Sequence, residues 1–259
     1  PHYGDTKEER EAVRREDEAA LENVVRYRAR RKKMDNGMVY PAVFPAEITR
    51  AFENERFDCI HVHHPMFVGP LGVKRYGIPV IFTCHTRYED YLHYIPAFRV
   101  DGKSSGVKKR AVEWIRTKVI PSYIRWFADQ CDLVLAPSAG MQRVLRGYGM
   151  KSRSAVFPTG LEERFFRTAP ERAMRIRKEW GRGKKHLLVT VSRLEREKNY
   201  GFLLRGIAGL RDRIGDDFHV LILGDGSQKA ELKVRASILG IQDMVTFVGN
   251  VPNDQVRDY

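Results

Sequence analysis

Three stretches of this chain concentrate residue types that do chemistry, and each follows a short apolar run. In VSRLEREKNYGFLLRGI, Arg193 comes directly after an apolar segment ending at Ser192, and Lys198 stands where a helical pattern begins. A guanidinium offers a bidentate fork to phosphate oxygens and an ammonium a mobile point charge, so the pair has the makings of a diphosphate clamp. The same spacing also suits ordinary solvated charges among Glu195, Arg196 and Glu197. In ILGDGSQKAEL, Gly224 and Gly226 flank Asp225 at the end of an apolar run, where glycine lets the backbone approach a ligand closely. The third glycine of a dinucleotide fingerprint is missing, and a plain tight turn fits as well.

The third stretch, FTCHTRYEDYLHYIP, holds His85, Tyr88, Glu89, Asp90, Tyr91, His93 and Tyr94 within ten positions. Aromatic rings and imidazoles stack on and hydrogen-bond to hydroxylated ligands, and carboxylates accept from their hydroxyls. Upstream lie His61, His63 and His64, which raise a metal cluster as an alternative. In a strand, alternate side chains point to opposite faces, so only some of these histidines converge. Zinc sites show more regular spacing and a Cys or carboxylate partner. No metal is therefore expected, and His61 reads as a buried, hydrogen-bonded structural histidine. A fourth feature is a basic belt, Lys103, Lys108, Lys109, Arg110, Arg116, Lys118 and Arg125, interleaved with Trp114, Ile115, Ile120, Tyr123, Trp126 and Phe127. The pattern fits an element lying on a membrane surface, and equally a helix packing an aromatic stripe into a core.

The elements that must position these residues alternate between strand and helix. Strands are expected at Asp58–His63, Ile78–Cys84, Asp132–Ala136 and Ser154–Phe157. A long helical region over 107–129 carries Pro121 as a kink or break. A helix capped by Ser138 is closed by Gly147 or Gly149. Residues 158 to 185, rich in charge with Pro and Gly, interrupt the rhythm. It restarts with the strands HLLVTVS, FHVLILG and MVTFVG and the helices between them. Such alternation gives βαβ units and parallel sheets covered on both faces. The expected organisation is a charged helical segment over 1–37 and a first α/β domain over 38–160. A connection over 161–185 leads to a second α/β domain over 186–259. An amphipathic helix is expected over Ile48–Phe57, and a loop with a short helix follows His64. Three strands are few for a doubly wound sheet, and the chain starts without Met, so it reads as a piece lacking both ends.

Composition narrows the class. The chain has 259 residues, with 46 Lys and Arg against 33 Asp and Glu, a formal charge of +13. Its 42% hydrophobic content supports real cores and excludes a disordered chain. No run approaches the roughly 20 apolar residues of a membrane-spanning helix. The three cysteines form no CxxC pair and read as free thiols of a reducing compartment. The positive balance admits nucleic acid, an anionic membrane or phosphorylated substrates as partners.

Taken together, VSRLEREKNYGFLLRGI and FHVLILGDGSQKAELKVRASILGIQDMVTFVGNVPNDQVRDY resemble the nucleotide-sugar domain of family 4 glycosyltransferases. FDCIHVHHPMFVGPLG, DLVLAPSAGMQRVLRGYG and FPTGLEERFF resemble their acceptor domain and interdomain crossing. HTRYEDYLHYIP is similar to the same stretch of diacylglycerol glucosyltransferase-like enzymes. The resemblance implies the GT-B fold, with two Rossmann-like domains facing a cleft, the second incomplete here. It implies that Arg193 and Lys198 neutralise a nucleotide diphosphate, with Gly224 and Gly226 beside it. His85 is implied near the transferred sugar, and Gly249, Asn250 and Val251 near the nucleobase. His64, Tyr88, Glu89, Tyr91, His93 and Tyr94 become the acceptor-binding candidates. The implied activity moves a hexose from a nucleotide-diphosphate sugar to a membrane lipid or envelope-glycan acceptor with retention, without a cofactor. The place is the inner face of the cell membrane, held peripherally. A glycine-rich loop and a paired-glutamate motif of the family fall outside the chain, so the piece alone is expected to be inactive. Two alternatives stand beside this: a soluble acceptor such as a sugar phosphate, and a basic module binding nucleic acid. The second is disfavoured because the aromatics cluster at strand ends rather than on an open sheet face.

Overall fold

The computed structural model describes residues 6–19, 29–33, 39–41, 50, 56–65, 77–167 and 170–259. The helix expected over Ile48–Phe57 and the segment after Pro65 lie largely outside the described residues. The chain divides into two compact units, Pro1–Thr159 and Gly160–Tyr259.

The first unit opens with α1 (Lys7–Ala19), a charged helix, and an antiparallel ribbon of β1 (Ala29–Lys33) and β2 (Val39–Pro41). Four parallel strands follow in chain order: β3 (Ile60–Val62), β4 (Val80–Thr83), β5 (Leu133–Ala136) and β6 (Ser154–Val156). β4 is buried along most of its length, as an apolar run in a parallel sheet covered on both faces must be. Residues Tyr88–Tyr94 wind as a 3-10 helix after it. A continuous helical rod then runs through α2 (Gly106–Trp114), a π turn (Ile115–Val119) and α3 (Ile120–Ala128).

Pro121 was expected to kink or break this rod, and the rod passes through it. Proline offers no N–H and its ring crowds the carbonyl one turn back. The π turn absorbs this: Ile120 N–H reaches back five residues to Ile115 O, and the Thr117 hydroxyl donates to Glu113 O at 2.8 Å. α4 (Ala139–Gly147) starts where Ser138 Oγ accepts from Met141 N at 3.2 Å and closes at Gly147, as its cap residues indicate. The core gathers Val80, Phe82, Ile124, Phe127, Val134 and Leu145, with Phe82 and Phe127 edge to face at 5.0 Å. Each such side chain contributes roughly 1.5–3 kcal/mol by leaving water.

The second unit contains α5 (Pro170–Trp180), β7 (His186–Val191), α6 (Tyr200–Ile214), β8 (Phe218–Leu223), α7 (Lys229–Ile238) and β9 (Val245–Gly249). The three strands are parallel in the order β7-β8-β9. All six residues of β8 are buried, and Phe218, Val220 and Ile222 pack in one core with Leu204 and Ile207 of α6 and Leu232 and Ala236 of α7. His219 is carried inside with them, its Nε2 paired with Thr246 Oγ1 at 2.8 Å. Burial, and then the positive charges of Arg182 and Lys184, hold its pKa below the usual imidazole value.

Candidate functional site

In the second unit the loops following the three strands knit into one surface. Leu194 N–H donates to Asp225 O and Gln228 N–H to Leu194 O, while Gly224 N–H donates to Gly249 O at 2.7 Å. The glycines serve this weave directly. Gly224 sits at φ +122, and a Cβ there would stand 2.1 Å from Ser192 O; one on Gly226 would stand 2.5 Å from Leu194 O. What these two glycines admit is the neighbouring strand-end backbone, a requirement that the sequence pattern alone leaves open. Gly249 has φ +93 and is followed by exposed Asn250 and half-buried Val251, at the same carboxyl end of the sheet.

The charges around this surface are arranged asymmetrically. Glu195 Oε1 and Oε2 accept from Ser227 N and Ser227 Oγ at 3.1 and 2.7 Å, just ahead of α7. Asp225 takes Lys229 Nζ at 2.6 Å and Gly226 N at 2.8 Å. The lysine contact first, and the amide second, hold the Asp225 carboxyl below the usual carboxylate range. Arg193, 51% exposed, leans on Glu197 at 3.2 Å. Lys198 does not begin a helix, as the sequence suggested. It ends a 3-10 turn over Arg196–Lys198, and Asn199 turns the chain through a left-handed φ of 50° before α6 starts. Its ammonium makes no ion pair among the described residues. It borders an open depression of about 360 Å³ with Thr190, Ser192, Asn199, Tyr200 and Phe202. Sequence reasoning missed Lys229, Glu195 and Glu197. For Lys229 the signal was its place at the first helical position after GDGSQ.

In the first unit the corresponding strand ends carry histidines. His61 Nε2 pairs with Thr83 Oγ1 across β3 and β4 at 2.6 Å, and His63 Nδ1 pairs with His85 Nε2 at 2.9 Å. The rings of His61 and His63 lie 4.1 Å apart, and those of His63 and His85 stack at 5.2 Å. Alternation along the strand thus brings His61 and His63 to one side, while His64 turns to meet Tyr88 edge-on at 5.2 Å. His61, the middle residue of β3, is hydrogen-bonded but exposed, because β3 is the edge strand of its four-stranded sheet; its expected burial is corrected here. Burial and then the His63 charge depress the His85 pKa, and burial depresses that of His64. These rings are therefore neutral near pH 7, able to donate from one nitrogen and accept at the other. Among the described residues, no group of three His, Cys, Asp or Glu is placed to hold a metal ion.

The 3-10 turn sorts the remaining candidates. Glu89, 5% exposed, takes the Tyr148 hydroxyl and the Arg87 guanidinium on Oε1, tying the turn to the end of α4. Tyr94 is also buried, against the rings of Tyr91 and His93. Glu89 and Tyr94 shape the turn from inside, whereas Tyr88, Tyr91 and His93 stay partly open. Cys84 is buried and its thiol is pushed up to about 12, which makes it inert.

Two parallel α/β units, each with its polar residues gathered where strands give way to loops, form the frame on which the comparisons fall. The model for Glycosyltransferase Family 4 matches residues 1–165, and that for Glycosyl transferases group 1 matches residues 173–259. The chain belongs to glycosyltransferase family 4. Among curated relatives of this family 4 chain, the alpha-monoglucosyldiacylglycerol synthase of Streptococcus pneumoniae is 31% identical over 82% of this chain and 46% of its own length. The synthase of the same name from Acholeplasma laidlawii is 22% identical over 84% and 54%. The 2-deoxystreptamine glucosyltransferase of Streptomyces kanamyceticus is 26% identical over 77% and 50%. The chain thus spans about half the length of the curated relatives it matches. Among solved structures, Anabaena HepE in complex with UDP and glucose matches with a TM-score of 0.57 at 16% identity, over 82% of this chain and 53% of that one. Sucrose-phosphate synthase from Thermosynechococcus elongatus matches at 0.55 and 16%, over 83% and 50%. The fold is of the GT-B class.

Proposed function

We propose that the protein to which this chain belongs transfers a hexose from a nucleotide-diphosphate sugar to the hydroxyl of a membrane lipid or envelope glycan, with retention at the anomeric carbon. The observation that carries the reading is the cationic strand-end surface of the second unit. Arg193 is half exposed, and among the described residues Glu197, at 3.2 Å, is its ion-pair partner, so the guanidinium keeps donors open toward a diphosphate. Lys198, at the end of the 3-10 turn that follows, has no carboxylate partner among the described residues. As the bond from the anomeric carbon to the diphosphate oxygen breaks, these two cations offset the charge that develops there, and the acceptor oxygen forms the new bond on the same face while its proton passes to the departing diphosphate oxygen. Gly224 and Gly226 hold the loops that present them, and Gly249, Asn250 and Val251 stand at the end where the nucleobase would sit. The first unit supplies imidazole and phenol hydrogen-bonding groups instead. His85 faces the transferred sugar, and His64, Tyr88, Tyr91 and His93 serve the acceptor, with Glu89 and Tyr94 fixing the turn that carries them. Donor and acceptor need no cofactor in this scheme.

The lipid acceptor is favoured by the likeness to two diacylglycerol glycolipid synthases and by the basic, tryptophan-bearing rod of the first unit. No described helix is long and apolar enough to cross a membrane, so the proposed attachment is peripheral, on the anionic inner leaflet. The likeness to an aminocyclitol glucosyltransferase favours a soluble polar acceptor as the second reading. Assay of the full-length protein with UDP- and GDP-hexoses separates the two, offering diacylglycerol in vesicles against water-soluble polyols. Product in the lipid phase supports the first reading, and transfer confined to soluble acceptors replaces it with the second.

A further inference from the structure

We infer that the π turn at Ile115–Val119 sets the register of the helical rod so that Trp114 and Trp126 stand on one face, forming an interfacial stripe that seats on an anionic lipid surface. The inference rests on the membrane reading above and deepens it by naming the surface and the device that builds it.

Trp114 and Trp126 are twelve positions apart. In an uninterrupted α-helix, at about 100° per residue, they would stand about 120° apart around the axis. A π turn holds one extra residue and sets everything downstream back by about one position, roughly 100°. The two tryptophans therefore come within about 20° of each other, roughly 17 Å apart along the rod at about 1.5 Å per residue. Their exposure agrees: Trp114 is 60% and Trp126 40% accessible, while Ile124, Phe127 and Ala128 on the other side enter the core. The same count brings exposed Val107, Val119 and Ser122 onto the stripe. Tryptophans on an exposed helix face with cationic neighbours are the composition of an element lying in the headgroup region.

Charge identifies the occupant. With the π turn counted, Arg110, Lys118 and Arg125 run along one flank of the stripe, and all three are exposed. Of the acids beside them, Glu113 is taken by Arg116 at 2.7 Å through two hydrogen bonds, and Asp129, which feels the charge of Arg125, accepts from Lys151 N, Ser152 N and the Ser152 hydroxyl. A row of exposed cations, none of which makes a salt bridge among the described residues, beside an apolar stripe matches a bilayer bearing anionic headgroups. The cause sits in the sequence: Pro121 makes a regular turn costly, and Thr117 satisfies a carbonyl that the widened turn frees.

The test uses the full-length protein carrying Trp180→Phe, with one tryptophan retained at a time. Vesicles are phosphatidylcholine with 30% phosphatidylglycerol, with brominated chains as quencher. Trp114 alone and Trp126 alone should be quenched to a similar degree, and raising salt should release the protein. A third variant replaces both native tryptophans with Phe and carries Arg125→Trp, the position that lines up with Trp114 in a regular helix. It should be quenched at least twofold less than Trp126. Strong quenching of Trp114 and Arg125→Trp with weak quenching of Trp126 overturns the register while the membrane reading stands. No binding to anionic vesicles overturns both. Shielding of both tryptophans from iodide without lipid means protein covers the face, and also overturns the inference.

Discussion

The two units place their polar residues at the same point of the same topology, the carboxyl ends of parallel strands, yet equip it with opposite chemistry. In the first unit the groups are imidazoles paired with one another and with a threonine hydroxyl. In the second they are cations, and the acids among them are already engaged, by Lys229, by Arg193 and by Ser227 ahead of α7. The first arrangement suits a neutral hydroxylated ligand, and the second an anion. The topology fixes where a site forms, and the side chains at a few strand-end positions decide what enters it.

The comparison breaks most visibly through the cations. Arg193→Ala and Lys198→Ala should each cost about 2–4 kcal/mol of transition-state stabilisation, about 30- to 1,000-fold in kcat/KM of the full-length enzyme. Steady-state rates that stay near wild type in both variants would remove the diphosphate role. The next effect belongs to the first unit. Tyr148→Phe strips the buried Glu89 carboxylate of a hydroxyl donor and should lower stability by about 1.5–3 kcal/mol, read by denaturant unfolding. A loss at least as large follows from Gly224→Ala, which strains a positive-φ backbone by about 1–3 kcal/mol and in addition drives a Cβ to 2.1 Å from Ser192 O, a backbone atom that cannot give way cheaply. Calorimetric scanning should show that loss in the second unit.

Two pH effects complete the series. His219 is held below the usual imidazole value, so its contribution to the second unit is fully present above about pH 6.5, the unfolded value. It is lost as pH falls through the folded value, and His219→Gln should flatten this acid limb in melting experiments. The smallest effect concerns His85. His63→Ala removes the second cause of its depression and should raise its titration midpoint toward the usual value, seen in imidazole NMR spectra. An unmoved midpoint would show the two rings to be electrostatically independent.

Much of this was legible in the sequence, for reasons visible in particular elements. FHVLILG is apolar along its whole length, and a strand buried on both faces has to be; β8 is such a strand. Ser138 announces the start of α4 and Gly149, left-handed at φ +87 just past the Tyr148 cap, its end, because caps are local. That Arg193 follows β7, His63 follows β3 and His85 follows β4 was legible because each comes just after an apolar run. What stayed hidden depends on contacts across the fold. Gly224 and Gly226 looked like openings for a ligand, whereas their space is filled by the backbone of Ser192 and Leu194. Glu89 looked like a surface acid within a polar cluster, and Tyr148, fifty-nine positions away, pulls it inside. Pro121 looked like a break, and a π turn that no periodicity count contains carries the rod past it.

The most direct test of the central claim is calorimetric titration of the full-length protein with nucleoside diphosphates and with the corresponding nucleosides. The diphosphate should bind far more tightly than its nucleoside, and the Arg193→Ala, Lys198→Ala double variant should erase most of that difference while leaving nucleoside binding unchanged. A double variant that still prefers the diphosphate by the wild-type margin would contradict the account.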